Sequence, residues 1–91
     1  MDPLVKIRKE VRDFIMENFL PENALTDKDP LLENGIIDST GILEIVSFLE
    51  TAYGFTVDDE DLTPDNLDSI DKITAFVERK IAALKTYSLA S

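Results

Sequence analysis

Apolar side chains recur every three to four residues along most of this chain, and this spacing predicts an all-helical fold. The first stripe predicts a helix that begins at Pro3, with Asp2 as its N-cap, and ends near residues 20–21. Charged residues separate the apolar positions, so the helix is amphipathic. The apolar positions are Leu4, Ile7, Val11, Phe14 and Ile15.

A long connection, residues 21–38, follows the first helix and contains several Asp, Asn, Pro and Gly residues. Loops of this length are uncommon in small domains unless they pack against the fold or serve a function. Five apolar side chains can attach the loop to the core, so we expect it to be ordered in part. They are Leu25, Leu31, Leu32, Ile36 and Ile37.

The second helix is predicted to begin after Asp38, whose carboxylate can accept from the free amides of the first turn. Gly54 follows the last apolar position and predicts the end of this helix. The expected core stripe is Ile42, Ile45, Val46, Leu49 and Tyr53.

A short third helix is predicted next, with Thr63 as its cap and Pro64 at its first position. The last helix opens near residues 68–69, and residues 86–91 are expected to fray. The expected anchors of the short helix are Leu62 and Leu67, and the stripe of the last helix is Ile70, Ile73, Phe76, Val77, Ile81 and Leu84.

The composition favours one small globular domain over residues 1–91, because 44% of the residues are hydrophobic. The chain has no cysteine and no histidine. Disulfides, ordinary zinc sites and Ser-His or Cys-His catalysis are therefore excluded, and we expect neither a metal nor catalysis. No signal peptide or membrane-spanning run is visible, so we expect a cytoplasmic monomer without membrane insertion.

Charge is distributed very unevenly. The net charge is −10, and residues 29–71 hold twelve acidic residues and no basic one. Such a segment repels nucleic acid and favours partners that carry Lys or Arg patches. Solubility alone is the alternative explanation of this acidity.

Ser39 closes the stretch Gly35-Ile36-Ile37-Asp38-Ser39 and opens the second helix. Free N–H groups and the positive end of the helix dipole meet at this position, so a phosphate ester on the serine would be tolerated. The alternative interpretation is that Asp38 and Ser39 are only a capping pair.

This stretch resembles the G-x-x-D-S signature of acyl and peptidyl carrier proteins, whose serine bears a 4'-phosphopantetheine arm. Residues 48–55, Phe-Leu-Glu-Thr-Ala-Tyr-Gly-Phe, are similar to the L-E-x-x-F pattern of the same family. The resemblance covers nearly the whole chain. It implies a four-helix bundle with a long loop between helices 1 and 2 and a short third helix.

The resemblance implies that Ser39 is the attachment point and that Asp38 both caps the helix and is recognised by the transferase. The family usually has Leu or Met where this chain has Thr40, and Gly41 beside it is a poor helix former. Both departures suggest an unusual set of partners. The expected docking residues are Thr40, Ile42, Glu44 and Glu50, the two glutamates being expected on the outer face of the helix.

A carrier of this family performs no chemistry of its own. A phosphopantetheinyl transferase would attach the arm from coenzyme A, and the thiol of the arm would carry an acyl or aminoacyl group between loading ligases or synthases with basic docking patches. Fatty-acid, polyketide and related specialised biosynthesis are all possible pathways. Residues 32–39 resemble carriers loaded by adenylating ligases, including the D-alanyl carriers, at least as well as fatty-acid carriers.

Three alternatives compete with a carrier. An acidic helical interaction module without a prosthetic group would leave Ser39 unmodified. A calcium-binding loop is suggested by the acids between residues 58 and 68, but the glycine and the 12-residue frame of an EF-hand are missing. A serine hydrolase lacks both histidine and a G-x-S-x-G elbow.

Overall fold

The fold is all-α, as predicted. A computed structural model describes residues 3–19 and 25–90, with side chains described for residues 4–19 and 25–84. Within these ranges the chain forms helices and turns and no strand. The helices are α1 (Pro3–Phe19), α2 (Ser39–Tyr53), α3 (Pro64–Leu67) and α4 (Ile70–Ala90). The long loop between α1 and α2 and the short third helix are confirmed. The predicted cap of α1, Asp2, lies outside the described residues.

The core is formed mainly by the predicted stripes of α1, α2 and α4. Ile7, Val11 and Ile15 of α1 are buried, and the half-buried Phe14 stacks on Phe48 of α2 with ring centroids 4.3 Å apart. Leu84, by contrast, is 42% exposed, so the buried stripe of α4 ends before it. The buried members from α2 and α4 are Ile45, Leu49, Ile70, Ile73, Phe76 and Val77.

Two arginines of α1 connect that helix to the loop and to α4. Arg12 donates from Nη1 to the carbonyl oxygen of Leu25 at 2.7 Å and pairs through Nη2 with Asp27. Arg8 pairs with Asp27 and, at 3.1 Å, with Asp71 in the first turn of α4. The amide of Asp71 donates in turn to the carbonyl oxygen of Asp27. These half-buried charges hold the start of the described loop against both helices.

The loop is ordered over its described part, residues 25–38, as expected. Leu25, Leu31 and Ile37 are buried, and the backbone of Leu31 makes several of the bonds that shape the loop. Its N–H donates to the carbonyl oxygen of Asp68 at 2.8 Å, and its carbonyl oxygen accepts from the amides of Ile36 and Ile37. Residues 20–24, also part of the predicted connection, lie outside the described residues.

The segment between α2 and α4 contains one 3₁₀ turn, Asp59–Asp61, and the short helix α3. Leu67 is buried and anchors α3, but Leu62 is 37% exposed, so its predicted anchoring role is wrong. Leu62 falls between the two short helices, where no repeated helical face directs it inward. Thr63 precedes Pro64 as predicted, although its side chain makes no capping hydrogen bond.

Lys80 of α4 holds the 3₁₀ turn in place. Its Nζ lies 2.8 Å from Oδ2 of Asp61 and 3.8 Å from Oδ2 of Asp58. The hydrogen bond from Lys80 is the main cause that keeps the pKa of Asp61 below its ordinary value. Two acids of the central segment are therefore paired with a base of α4.

Helix α4 begins after Ser69, whose Oγ accepts from the amide of Lys72. The helix continues through Ala90, into the segment for which fraying is expected, and fraying itself stays a prediction. In the part of the chain that the structure describes, no helix is both long and apolar enough to cross a membrane.

Candidate functional site

Ser39 is the first residue of α2 and its side chain is exposed. Its hydroxyl makes no hydrogen bond to any described residue. The serine is therefore open to an incoming group and is not consumed by capping or packing. This placement is the one that the motif predicts.

Asp38 caps α2 with its side chain and its main chain. Its Oδ1 accepts from the amide of Gly41 at 2.8 Å, and its carbonyl oxygen accepts from the amide of Ile42 at 3.0 Å. The first-turn amides of Ser39 and Thr40 make no hydrogen bond to described residues. Two N–H groups at the positive end of the helix thus remain available beside the serine hydroxyl.

The loop before Ser39 turns at Gly35, which has a φ of 72° in the left-handed region. Ile37 is then buried while Asp38 and Ser39 are exposed. Because Ile37 is buried in the core two residues earlier, the serine is presented outward from a segment that is anchored to the core.

Asp68 supports this loop from the far end of the chain. Its carbonyl oxygen accepts from the amide of Leu31, and its Oδ1 accepts from the amide of Leu32 at 2.8 Å. No local pattern predicts this role, because residues 36 positions apart are brought together only by the fold. Asp68, which lies between α3 and α4, therefore helps to position the segment that presents Ser39.

The four predicted docking residues have different surroundings, and docking itself stays a prediction for each. Thr40 and Glu44 are exposed, while Ile42 is half buried. Glu50 is also half buried, and its Oε2 accepts from the amide of Val57 at 2.9 Å. The expectation that Glu50 lies free on the outer face is wrong, because its carboxylate holds the turn after α2.

One exposed apolar side chain of α2 was missed by the sequence analysis. Leu43 is 60% exposed and lies one helical turn after Ser39. The sequence could have indicated this exposure, because Leu43 lies four residues after the serine and outside the predicted core stripe. It offers an apolar contact beside Thr40, where the family usually has Leu or Met.

The structure gives no support to a calcium site. Within residues 3–19 and 25–90, no three acidic side chains are grouped so that they could hold a metal ion. Asp58 and Asp61 face Lys80, and Asp68 is engaged with the loop.

Comparison with known proteins decides the family. No protein-family model matches the chain. The D-alanyl carrier protein of Abiotrophia defectiva is 30% identical over 54 residues, which cover 59% of this chain and 68% of that protein. The chain belongs to the acyl carrier protein family. The helical bundle is of the kind that the family implies.

Membership in the acyl carrier protein family makes this chain a carrier protein. The exposed Ser39 is therefore the candidate functional residue. Ser39, its cap Asp38 and the loop fixed by Leu31 and Asp68 form one unit at the N-terminal end of α2. We call this unit the serine site below.

Proposed function

We propose that Ser39 bears a 4'-phosphopantetheine arm and that the protein shuttles acyl or aminoacyl groups as thioesters between partner enzymes. The observation that carries the proposal is the state of the serine itself: its side chain is exposed, makes no hydrogen bond to a described residue, and is held at the first position of α2 directly after the Asp38 cap. A serine that served only as a cap would have its hydroxyl engaged with an amide of the first turn.

The residues of the serine site fit a phosphodiester on Ser39. The free amides of Ser39 and Thr40 can donate to phosphate oxygens, and the helix dipole favours the negative charge. The carboxylate of Asp38 is bonded to the amide of Gly41 and leaves those two amides open. When attached, the arm would supply a flexible tether that ends in a thiol, which the cysteine-free chain does not encode.

The chain itself is proposed to be non-catalytic. It has no histidine to act as a base near neutral pH, and an exposed serine without a base is a weak nucleophile. A phosphopantetheinyl transferase would therefore activate the hydroxyl of Ser39 and take its proton. Loading and accepting enzymes would carry basic patches and would dock with them on α2, where the carboxylate of Glu44 makes no ion pair with a described residue.

We propose an aminoacyl or small acyl cargo, loaded by an adenylating ligase. Residues 32–39 resemble ligase-loaded carriers, and the name of the A. defectiva relative states that it carries D-alanyl. Fatty-acid or polyketide synthesis is the alternative pathway. Incubating the arm-bearing protein with D-alanine, ATP and a D-alanine ligase, and separately with a fatty acid, ATP and an acyl-carrier synthetase, distinguishes the two by the mass of the thioester formed.

The test of the arm is intact mass before and after incubation with coenzyme A and a broad-specificity phosphopantetheinyl transferase. We expect the parent chain to gain one phosphopantetheine and Ser39→Ala to gain none. Ser47→Ala is the matched control, because Ser47 is also exposed on α2 but lies two turns inside the helix. An unmodified parent, under conditions that modify a known carrier, would favour the acidic interaction module.

A further inference from the structure

The long loop is held at two points by residues 68–71, which run from the end of α3 into the first turn of α4. At the first point the amide of Asp71 donates to the carbonyl oxygen of Asp27 at 2.9 Å, and Arg8 pairs with both carboxylates. This point lies well before Ser39 in the loop. It therefore fixes where the described loop starts and not how the serine is presented.

The second point depends on one residue, Asp68. Its carbonyl oxygen accepts from the amide of Leu31 at 2.8 Å, and its Oδ1 accepts from the amide of Leu32, also at 2.8 Å. Any residue supplies the main-chain acceptor, but only a side chain with an oxygen at this place supplies the second one. The bond to Leu32 is thus the part of the contact that the identity of residue 68 decides.

The loop between this second point and the serine is closed on itself. The carbonyl oxygen of Leu31 accepts from the amides of Ile36 at 2.9 Å and Ile37 at 3.2 Å, and both Leu31 and Ile37 are buried. Ser39 follows Ile37 by two residues and begins α2. A displacement at the start of this closed turn is therefore passed on to the serine.

The side-chain bond from Asp68 stabilises the closed turn locally. The amide of Leu32 is partly buried, and Oδ1 of Asp68 is its acceptor. A donor that loses its acceptor in such a place has to reach water, so the turn opens more often. Segments of this kind open without unfolding of the whole domain. Loss of the oxygen is thus expected to loosen the path to Ser39 while the helices stay folded.

We propose that Asp68 is a positioning residue for attachment of the arm, because its carboxylate fixes Leu32 and thereby the placement of the Ser39 hydroxyl. The inference rests on the proposed carrier function. Asp68 makes no hydrogen bond to Ser39 and acts through the loop alone.

The attachment reaction depends on where the hydroxyl lies. Oγ of Ser39 attacks the phosphorus of the pantetheine phosphate in coenzyme A, and a P–O bond forms to the serine. The pyrophosphate bond breaks, 3',5'-adenosine bisphosphate leaves, and a base of the transferase takes the serine proton. Misplacement of an attacking atom by about 1 Å can cost about 10²-fold in rate. A loop that wanders therefore slows the reaction without changing the groups that react.

The test follows arm attachment by intact mass in single turnovers of the full chain, with transferase in excess and coenzyme A saturating. The rate at saturating transferase reports the attachment step, and the half-saturating concentration reports docking. We expect Asp68→Ala to lower the saturating rate about three- to tenfold. The half-saturating concentration should stay within about twofold of the parent, since the surface of α2 is unchanged.

Two further variants separate the hydrogen bond from charge and from overall stability. Asp68→Asn should be modified at the parental rate, because the amide oxygen is also an acceptor for the Leu32 amide. Ser69→Ala is the matched control. Ser69 is buried beside Asp68, and its Oγ accepts from the amide of Lys72 at 3.1 Å. Its replacement also removes one bond between an amide and a side-chain oxygen but leaves the loop bonds intact, so the rate should be parental.

A second readout needs neither the arm nor the transferase. Hydrogen exchange of the Leu32 amide, followed by NMR, should be faster in Asp68→Ala than in the parent, in Asp68→Asn or in Ser69→Ala. If Asp68→Ala does not fold, Asp68→Glu takes its place. Glutamate keeps the charge and the acceptor but carries its oxygens one methylene farther out, so both slower attachment and faster exchange are expected.

The proposal is overturned if loss of the Asp68 oxygen leaves attachment at the parental rate, or if Ser69→Ala is slowed as much as Asp68→Ala. It is also overturned if Asp68→Asn is slowed as much as Asp68→Ala, because the charge would then be the cause. A parent that gains no phosphopantetheine overturns the proposed function and this inference with it. A parent and an Asp68→Ala protein that are modified equally well overturn the inference alone.

Discussion

The ring of Phe19, the last residue of α1, lies directly against Gly41, the third residue of α2. A methyl group built on Gly41 would meet Cε1 of Phe19 at 2.9 Å and Cβ of Ile37 at 3.1 Å. Gly41 is buried, and its amide donates to the capping Asp38. The close approach of these two residues gives a structural reason for a glycine that the sequence analysis had attributed to an unusual partner set.

Gly41→Ala is therefore expected to destabilise the fold, although alanine is the better helix former. The gain in helix propensity is at most about 1 kcal/mol. Overpacking against Phe19 and Ile37 costs about 1–3 kcal/mol, because Ile37 is held by the core and cannot withdraw easily. We expect a net loss of about 1 kcal/mol in the free energy of unfolding, measured by urea denaturation.

Two companion variants identify the cause. Thr51→Ala, at an exposed position of the same helix, should not destabilise, because it meets no such contact. Phe19→Leu in the Gly41→Ala background should recover part of the loss by making room for the methyl group. A Gly41→Ala protein more stable than its parent would show that Phe19 moves aside without cost.

Much of the fold follows from local sequence signals. The helices repeat a buried face every 3.6 residues, and the boundaries of α2 depend on Asp38 and Gly54. Asp38 accepts from an amide three residues away, and Gly54 adopts a φ of 74° while its amide donates to the carbonyl oxygen of Glu50. Signals of this kind act within a few residues, so they can be recognised from the sequence alone.

The features that were missed depend on contacts between distant segments. The bonds from Leu31 and Leu32 to Asp68 join the loop to the start of α4, and the Phe19 contact joins α1 to α2. Glu50 was misplaced because the turn after α2 brings the amide of Val57 back to its carboxylate. Spacing along one helix cannot report such contacts.

Asp38 caps α2 and is proposed to be recognised by the transferase, and a pair of substitutions can separate these two roles. Asp38→Ala removes the acceptor of the Gly41 amide and should lower the free energy of unfolding by about 1 kcal/mol. Asp38→Asn keeps a good capping acceptor and should stay within a few tenths of a kcal/mol of the parent. If the transferase recognises the negative charge, both variants should gain phosphopantetheine more slowly, as followed by intact mass over time.

The matched control for this pair is Asp65→Asn, which makes the same substitution in the first turn of α3, away from the serine site. It should be modified at the rate of the parent. Modification of Asp38→Asn at the parental rate would instead mean that Asp38 acts only through the helix cap.

Tyr53 makes the stability of the fold sensitive to alkaline pH. Burial, and secondarily the charge of Glu10, raise the pKa of Tyr53 from 10.0 to about 12. The buried hydroxyl makes no hydrogen bond of good geometry to any described residue, Glu10 included. The folded state therefore favours the neutral phenol, while the unfolded chain ionises near pH 10. The contribution is complete below pH 10 and is lost as the pH rises from about 10 towards 12.

Tyr53→Phe should remove this sensitivity at little cost. Phenylalanine keeps the ring contacts with Phe48 and Phe55 and deletes a hydroxyl that has no hydrogen-bond partner among the described residues, so stability at pH 7 should be unchanged or higher by up to about 1 kcal/mol. Denaturation at pH 9, 10 and 11 (about one unit apart, to span the change) should show the parent losing stability faster than the variant. In a Tyr87→Phe background Tyr53 is the one remaining tyrosine of the chain, and its tyrosinate absorbance should appear only well above pH 10. A Tyr53→Phe protein clearly less stable at pH 7 would mean that the hydroxyl bonds to Glu10 after all.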